Sequence, residues 1–226
     1  MNQSQTTVST HRKSILIVDD HALVRNMLAD CIGASADLCV AGVACDAETA
    51  LNEAIRLKPD IVLMDIDMPG MLCFDAARMI RTRCPDTRIL FLSAFFHDRY
   101  IEQALAVEAS GYVTKNEPPD ALLKAIRAVA AGESYYSAEI LARVVVTSDG
   151  VSLPESRHSR TSTLTQRELE ILRYLVRGLA KKEIAELMHI SVNTVNRHTD
   201  SIMTKLDIHD RVQLACFAIR EGLAEA

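Results

Sequence analysis

The chain has 226 residues, 49 % of them hydrophobic and 24 % charged, with a formal net charge of −5. That length fits one large domain or two ordinary ones, and the composition excludes a disordered or fibrous chain. The six cysteines, at 31, 39, 45, 73, 84 and 216, form no C-x-x-C pair, so neither a zinc ribbon nor a dithiol redox motif is indicated.

The first residues, "MNQSQTTVSTHRKS", are polar and lack the apolar core of a signal peptide. No apolar run approaches the ~18 residues of a membrane span. A soluble cytoplasmic protein that does not enter the membrane is expected. From Ser14 to about Ala131, short β-branched runs alternate with helical periodicity. Strands are predicted at "ILIV" (15–18), "LCVAGV" (38–43), "DIVLM" (60–64), "RILFL" (88–92) and "GYVT" (111–114). Amphipathic helices are predicted near 21–33, 46–57, 73–83, 97–107 and 119–131. This alternation reads as βα units on a five-stranded, doubly wound parallel sheet, an α/β domain over 14–131.

The pattern lapses between 132 and 163. "SAEILARVVV" (137–146) is predicted to be one helix, and the Ser-, Thr-, Gly- and Pro-rich run after it reads as a linker. From Leu164 to the end, residues 164–226 read as a small all-α domain. Four helices fit there, near 166–177, 181–188, 192–206 and 210–221. Thr165 with Glu168 forms a capping box, and Gly178 stops the first helix. "KKEIAELMHISVNTV" reads as helix, short turn, helix, with Ser191 capping the second. Charge divides unevenly: residues 1–150 carry 14 Lys and Arg against 20 Asp and Glu, whereas residues 161–226 carry nine of each.

"IVLMDIDMPG" (61–70) places acid at the tip of the most apolar strand. Asp19 and Asp20 close the first strand and Asp65 the third. In a doubly wound sheet those strands can be neighbours at the switch point, where ligands bind. Three converging carboxylates repel one another, so a hard divalent cation such as Mg²⁺ is their natural partner. The fourth strand ends in Ser93, and Lys115 follows the fifth. Metal, hydroxyl and ammonium together would receive a phosphoryl group on Asp65, whose carboxylate can act as the nucleophile. The blander alternative for Asp20 alone is a helix N-cap.

In order and spacing, "IVDDH", "DIDMPG", "FLSA" and "GYVTK" resemble the four motifs of the receiver domain of two-component response regulators. The resemblance implies Asp65 as phospho-acceptor, with Asp19, Asp20, Asp65 and the Asp67 backbone carbonyl organising Mg²⁺. It implies that Ser93 and Lys115 bind the phosphoryl oxygens and that Tyr112 moves inward with Ser93 as a switch. Glu108 departs from the family's usual glycine at the end of the fourth helix, and Cys73 from another. Both departures imply altered loop geometry rather than loss of the site.

At ~100° per residue, the helix from Val192 gathers Val192, Val195, Thr199, Ile202, Met203 and Leu206 on one side. Asn193, Asn196, Arg197, Asp200 and Thr204 gather on the other. Amides and guanidinium suit adenine and guanine edges in the major groove. "LTQRELEIL", "KEIAELMHIS", "NTVNRH" and "IMTKL" resemble the LuxR-type DNA-binding domain that follows receivers in the NarL/FixJ family. That resemblance implies DNA contacts by Lys181, Lys182, Asn193, Thr194, Asn196, Arg197, Asp200 and Thr204. Three departures bear on affinity: Lys181 replaces a common Asn, Asn196 a common Lys, and Asp200 takes a position often basic or neutral.

The leading expectation is a non-enzymatic transcription regulator, phosphorylated on Asp65 by a histidine kinase and binding double-stranded DNA as a homodimer. One alternative is an aspartyl-phosphate phosphatase of the haloacid dehalogenase type, which "DID" resembles. In those enzymes the nucleophile strand comes first and the acidic pair late, whereas Asp19 and Asp20 precede Asp65 here. The other alternative is a phosphorylation-switched module whose helical end binds protein rather than DNA.

Overall fold

The computed structural model describes residues 12–68, 73–94, 98–147, 150–152 and 163–220. Strands β1 (Lys13–Val18), β2 (Leu38–Ala44), β3 (Ile61–Asp65), β4 (Arg88–Ser93) and β5 (Gly111–Thr114) alternate with helices α1 (Ala22–Gly33), α2 (Ala47–Leu57), α3 (Cys73–Arg83), α4 (Asp98–Ala106) and α5 (Pro119–Ala131). The sheet is parallel, in the order β2-β1-β3-β4-β5-β6. Chain order reverses at β1, so β1 and β3 are neighbours and the switch point lies between them. The register pairs Val18 with Met64 and Asp65 with Leu92, which places Asp19, Asp65 and Ser93 at one sheet edge.

Central strands are apolar on both faces because helices cover both. Ile15, Ile17, Ile61, Leu63, Leu90 and Leu92 pack with Ile32 of α1 and with Leu122, Ile126 and Val129 of α5. Leu16, Val18, Val62, Met64, Ile89 and Phe91 point the other way, into a core with Ala50 of α2, Ile80 of α3 and Ile101 of α4. A period-two strand buried on two faces reads in sequence as one continuous apolar run.

The region between the domains differs from expectation. A sixth strand, β6 (Tyr135–Tyr136), extends the expected five-stranded sheet by pairing with β5. Gly111 permits the approach: a Cβ there would lie 2.4 Å from the Tyr135 carbonyl oxygen. The single helix expected over 137–146 is shorter, with α6 spanning Ala138–Leu141. The run Val144-Val145-Val146 favours extended backbone, because β-branched side chains are restricted in helices. Strand β7 (Val145–Thr147) accordingly pairs antiparallel with β8 (Gly150–Ser152). Residues 148, 149 and 153–162 of the expected linker lie outside the described residues, as do Pro69 and Gly70 of the expected turn.

The remaining helices are α7 (Gln166–Val176), α8 (Lys181–Leu187), α9 (Val192–Leu206) and α10 (Arg211–Arg220). Leu169, Leu172, Ile184, Val195, Ile202, Leu206, Leu214 and Phe217 form their common core. The caps are those expected. Thr165 and Glu168 make a reciprocal capping box, Ser191 caps α9 through the Thr194 amide, and Gly178 follows α7 with φ +90°.

Candidate functional site

The carboxylates converge as the strand order requires. One oxygen each of Asp19, Asp20 and Asp65 and one ring nitrogen of His21 all lie within 4.8 Å of one another. Asp19 and Asp65 are buried, whereas Asp20 is partly exposed. The Lys115 ammonium donates to Asp19 Oδ2 at 2.7 Å and stands 2.9 Å from Asp65 Oδ2. Asp65 Oδ1 accepts from the Asp67 amide at 3.0 Å, which fixes the carboxylate plane. Asp19 Oδ1 accepts from the His21 amide at 2.8 Å. The capping alternative for Asp20 is not realised: His21 is the N-cap residue of α1, and its side chain makes no capping bond.

Electrostatics follow from that crowding. Burial raises the Asp65 carboxyl to about 6, opposed by the Lys115 ammonium and reinforced by Asp19. Burial disfavours charge on Lys115, but Asp65 and Asp19 outweigh it and hold the ammonium above its ordinary range. A carboxylate so placed resists ionisation until cations balance the cluster.

Ser93 and Tyr112 meet on adjoining strands. The Ser93 hydroxyl donates to Asp67 Oδ2 at 3.3 Å and is also hydrogen-bonded to the Tyr112 hydroxyl. Tyr112 is fully buried, and burial pushes its phenol well above the usual range.

The two departures in this domain have local accounts. Glu108 adopts φ +50°, the left-handed conformation in which glycine is usual. Arg81 of α3 clamps it, donating to the Glu108 carbonyl at 3.0 Å and pairing with the carboxylate at 2.7 Å. Cys73 is a buried thiol opening α3, 3.6 Å from the Ile66 carbonyl.

In α9, Val195, Ile202 and Leu206 are buried, whereas Val192 of the expected packing side is 40 % exposed. Asn193, Arg197, Asp200 and Thr204 are exposed, and Asn196 and Thr194 are partly so. Lys181 and Lys182 lie exposed at the start of α8. Lys181 Nζ donates to Asn196 Oδ1 at 2.9 Å. Two of the three departures from the LuxR-type pattern, Lys181 and Asn196, are thus partners, with the cation moved from α9 to α8.

Three participants were not singled out in sequence. His21 adjoins the acidic pair and pairs with Asp20 at 2.7 Å. Tyr100 of α4 and Arg173 of α7 are buried against each other, the guanidinium carbon 5.3 Å from the ring centroid. Arg173 also forms an ion pair with Asp67. His21 was legible from its neighbours. Arg173 was not, because it occupies an ordinary polar position of an amphipathic helix.

Comparison with known proteins agrees with this geometry. Residues 15–127 match the response regulator receiver domain, and residues 162–218 match the bacterial regulatory proteins of the luxR family. The oxygen regulatory protein NreC of Staphylococcus aureus (strain bovine RF122 / ET3-1) is 37 % identical over 216 residues, covering 93 % of this chain and 99 % of NreC. The uncharacterized transcriptional regulatory protein YxjL of Bacillus subtilis (strain 168) is 33 % identical over 213 residues, covering 93 % of this chain and 97 % of YxjL. Among solved structures, the RcsB response regulator of Salmonella typhimurium, studied for DNA interaction, superposes with a TM-score of 0.70. It is 22 % identical, over 94 % of this chain and 99 % of that one.

The fold and site define a receiver joined to a helix-turn-helix domain. The chain belongs to the response regulators of the NarL/FixJ type, with a receiver domain and a LuxR-type DNA-binding domain. It is a phosphorylation-controlled, DNA-binding transcription regulator, and the families it matches are those of such regulators rather than of phosphatases. Among the described residues, no helix is long and apolar enough to cross a membrane.

Proposed function

We propose that Asp65 is the phospho-acceptor and that a histidine kinase is the donor. The observation that carries this reading is the placement of the Lys115 ammonium against both Asp19 and Asp65 at the switch point. Asp65 oxygen attacks the phosphorus of a phosphohistidine. The P–N bond breaks, and the imidazole leaves with the electron pair. Lys115 then offsets charge on the transferred group.

The residues fit Mg²⁺. The donor set is rich in hard carboxylate oxygens, and Asp20 Oδ1 and Asp65 Oδ2 are buried without hydrogen bonds, their contacts being ion pairs. Asp19, Asp20, Asp65 and the Asp67 carbonyl would hold the ion, which when bound neutralises charge developing on the phosphoryl oxygens.

Ser93 and Tyr112 carry the signal outward, because phosphate claims the Ser93 hydroxyl that now bonds Asp67 and Tyr112. Ser93→Ala is expected to accept phosphate yet lose most of the phosphorylation-dependent gain in DNA affinity. Labelling with a small phosphodonor and a mobility-shift titration measure the two separately. A full gain in Ser93→Ala would refute the coupling.

Double-stranded DNA is read by the exposed face of α9, with phosphate contacts from Lys181 and Lys182. Each domain offers few cations, so tight binding requires a homodimer on two half-sites. Apolar surface on Val212 of α10, 73 % exposed, suits such pairing. Arg197→Ala is expected to cost about 1–3 kcal/mol if the guanidinium reads a guanine. Asp200→Lys should raise affinity for unrelated sequences and steepen the salt dependence by about one phosphate contact. Footprinting of the phosphorylated chain on genomic fragments tests the whole reading, and protection of no fragment would favour a protein partner.

A further inference from the structure

Helix α7 of the DNA-binding domain carries a charge into the receiver's carboxylate site. Arg173 is 8 % exposed and forms an ion pair with the Asp67 carboxylate. Its guanidinium also covers the Tyr100 ring at 5.3 Å. Ile66, Met68, Cys73, Phe74 and Tyr100 of the receiver line one cleft with Glu170 and Arg173 of α7. The other Asp67 oxygen accepts from Ser93, so Arg173 reaches the same hydrogen-bonded group as the phosphoryl-site hydroxyl.

We propose that Arg173 docks the DNA-binding domain on the carboxylate site, and that a divalent cation entering this site opposes the docked α7. The inference rests on the metal reading above. Four carboxylates, of Asp19, Asp20, Asp65 and Asp67, crowd this edge. Among the described residues, Lys115 and Arg173 are the Lys and Arg side chains ion-paired with them. Arg173 is thus part of what balances the cluster. A divalent cation supplies that balance from within the site, and it repels a guanidinium held nearby in a poorly solvated cleft. Undocking then costs less, because Asp67 stays near positive charge. By linkage, the metal weakens docking by the same factor by which docking weakens the metal, so a chain that docks less binds the metal more tightly. The side chains of the α9 polar face are exposed or partly exposed and none is buried, so the docked contact restrains domain placement and pairing rather than covering the DNA-reading side chains.

The test is calorimetric titration of the full chain with Mg²⁺ alone, at fixed ionic strength, for wild type, Arg173→Gln and Arg173→Lys. Circular dichroism establishes that each variant is folded. Arg173→Gln is expected to bind Mg²⁺ about fivefold more tightly or better, and Arg173→Lys, which keeps the charge, about as wild type does. Small-angle scattering should show the wild-type chain expanding on Mg²⁺ addition and Arg173→Gln already expanded without it. Equal Mg²⁺ affinity in wild type and Arg173→Gln overturns the docking proposal and leaves the metal site standing. Absence of Mg²⁺ binding by both overturns the metal reading, and the proposal with it.

Discussion

Asp65→Asn is expected to abolish labelling by small phosphodonors with Mg²⁺, whereas wild type takes up one phosphoryl group. The amide has no nucleophilic oxygen of comparable strength, and no other described carboxylate has the same setting. Asp65 is fully buried, is planted by the Asp67 amide at 3.0 Å and faces Lys115 at 2.9 Å. Asp19 lies beside it but is held by the His21 amide and by Lys115. Asp20→Asn should leave the nucleophile intact and still reduce labelling severely, through weakened metal binding. Intact-mass measurement after brief exposure to donor reads both variants. Full labelling of Asp65→Asn would move the acceptor elsewhere, and full labelling of Asp20→Asn would remove that residue from the metal set.

The second large effect falls on stability. Glu168 opens α7 as one half of a capping box, its Oε2 accepting from the Thr165 amide at 2.6 Å. The same carboxylate accepts from Ser201 at 2.6 Å and from Lys205 at 2.7 Å, both on α9. One buried carboxylate thus satisfies a helix terminus and ties α7 to α9. Glu168→Gln keeps the shape but removes the charge, leaving Lys205 without its counter-ion and one acceptor replaced by a donor. The expected loss is about 2–4 kcal/mol. In calorimetry the transition of the helical domain should fall by at least about 8 °C.

The pH dependence has a definite sign. Burial disfavours charge on Glu168, but Lys205, Ser201 and Thr165 outweigh it and hold the carboxyl down at about 2, against an ordinary 4.5. A folded-state value below the unfolded one means stability that is complete above about pH 4.5 and lost as pH falls toward 2. The gap between wild type and Glu168→Gln should therefore be full at pH 7 and close progressively below 4.5. A pH-independent gap would mean that packing, not charge, sets the effect.

Much of this molecule is written in local pattern. Alternating β-branched runs and amphipathic stretches specify the βα units, because each element must bury apolar surface in its own period. Strand-end residues Asp19, Asp65, Ser93 and Lys115 were legible for a related reason: strand ends in a doubly wound sheet converge wherever the order reverses. The Thr165–Glu168 box and the Ser191 cap are contacts within a few residues, so spacing alone reveals them. The same logic failed over 137–146, where a helical period was read and Val145 and Val146 instead entered a strand after one turn of helix.

The chain by itself determined two domains, the acidic cluster and the polar face of α9, since each depends on periodicity or on strand order. Tertiary structure alone decided which distant groups meet. Arg81 accounts for a left-handed Glu108, and Lys181 for an Asn at 196, only once α3 and α4, or α8 and α9, are side by side. Arg173 lies 106 residues beyond Asp67 and has the pattern of a solvated helix position, yet it is buried against the carboxylate cluster. No local signal marks such a residue, because its partner carboxylate, and the burial that gives their contact its strength, arise only when two separately folded domains pack together.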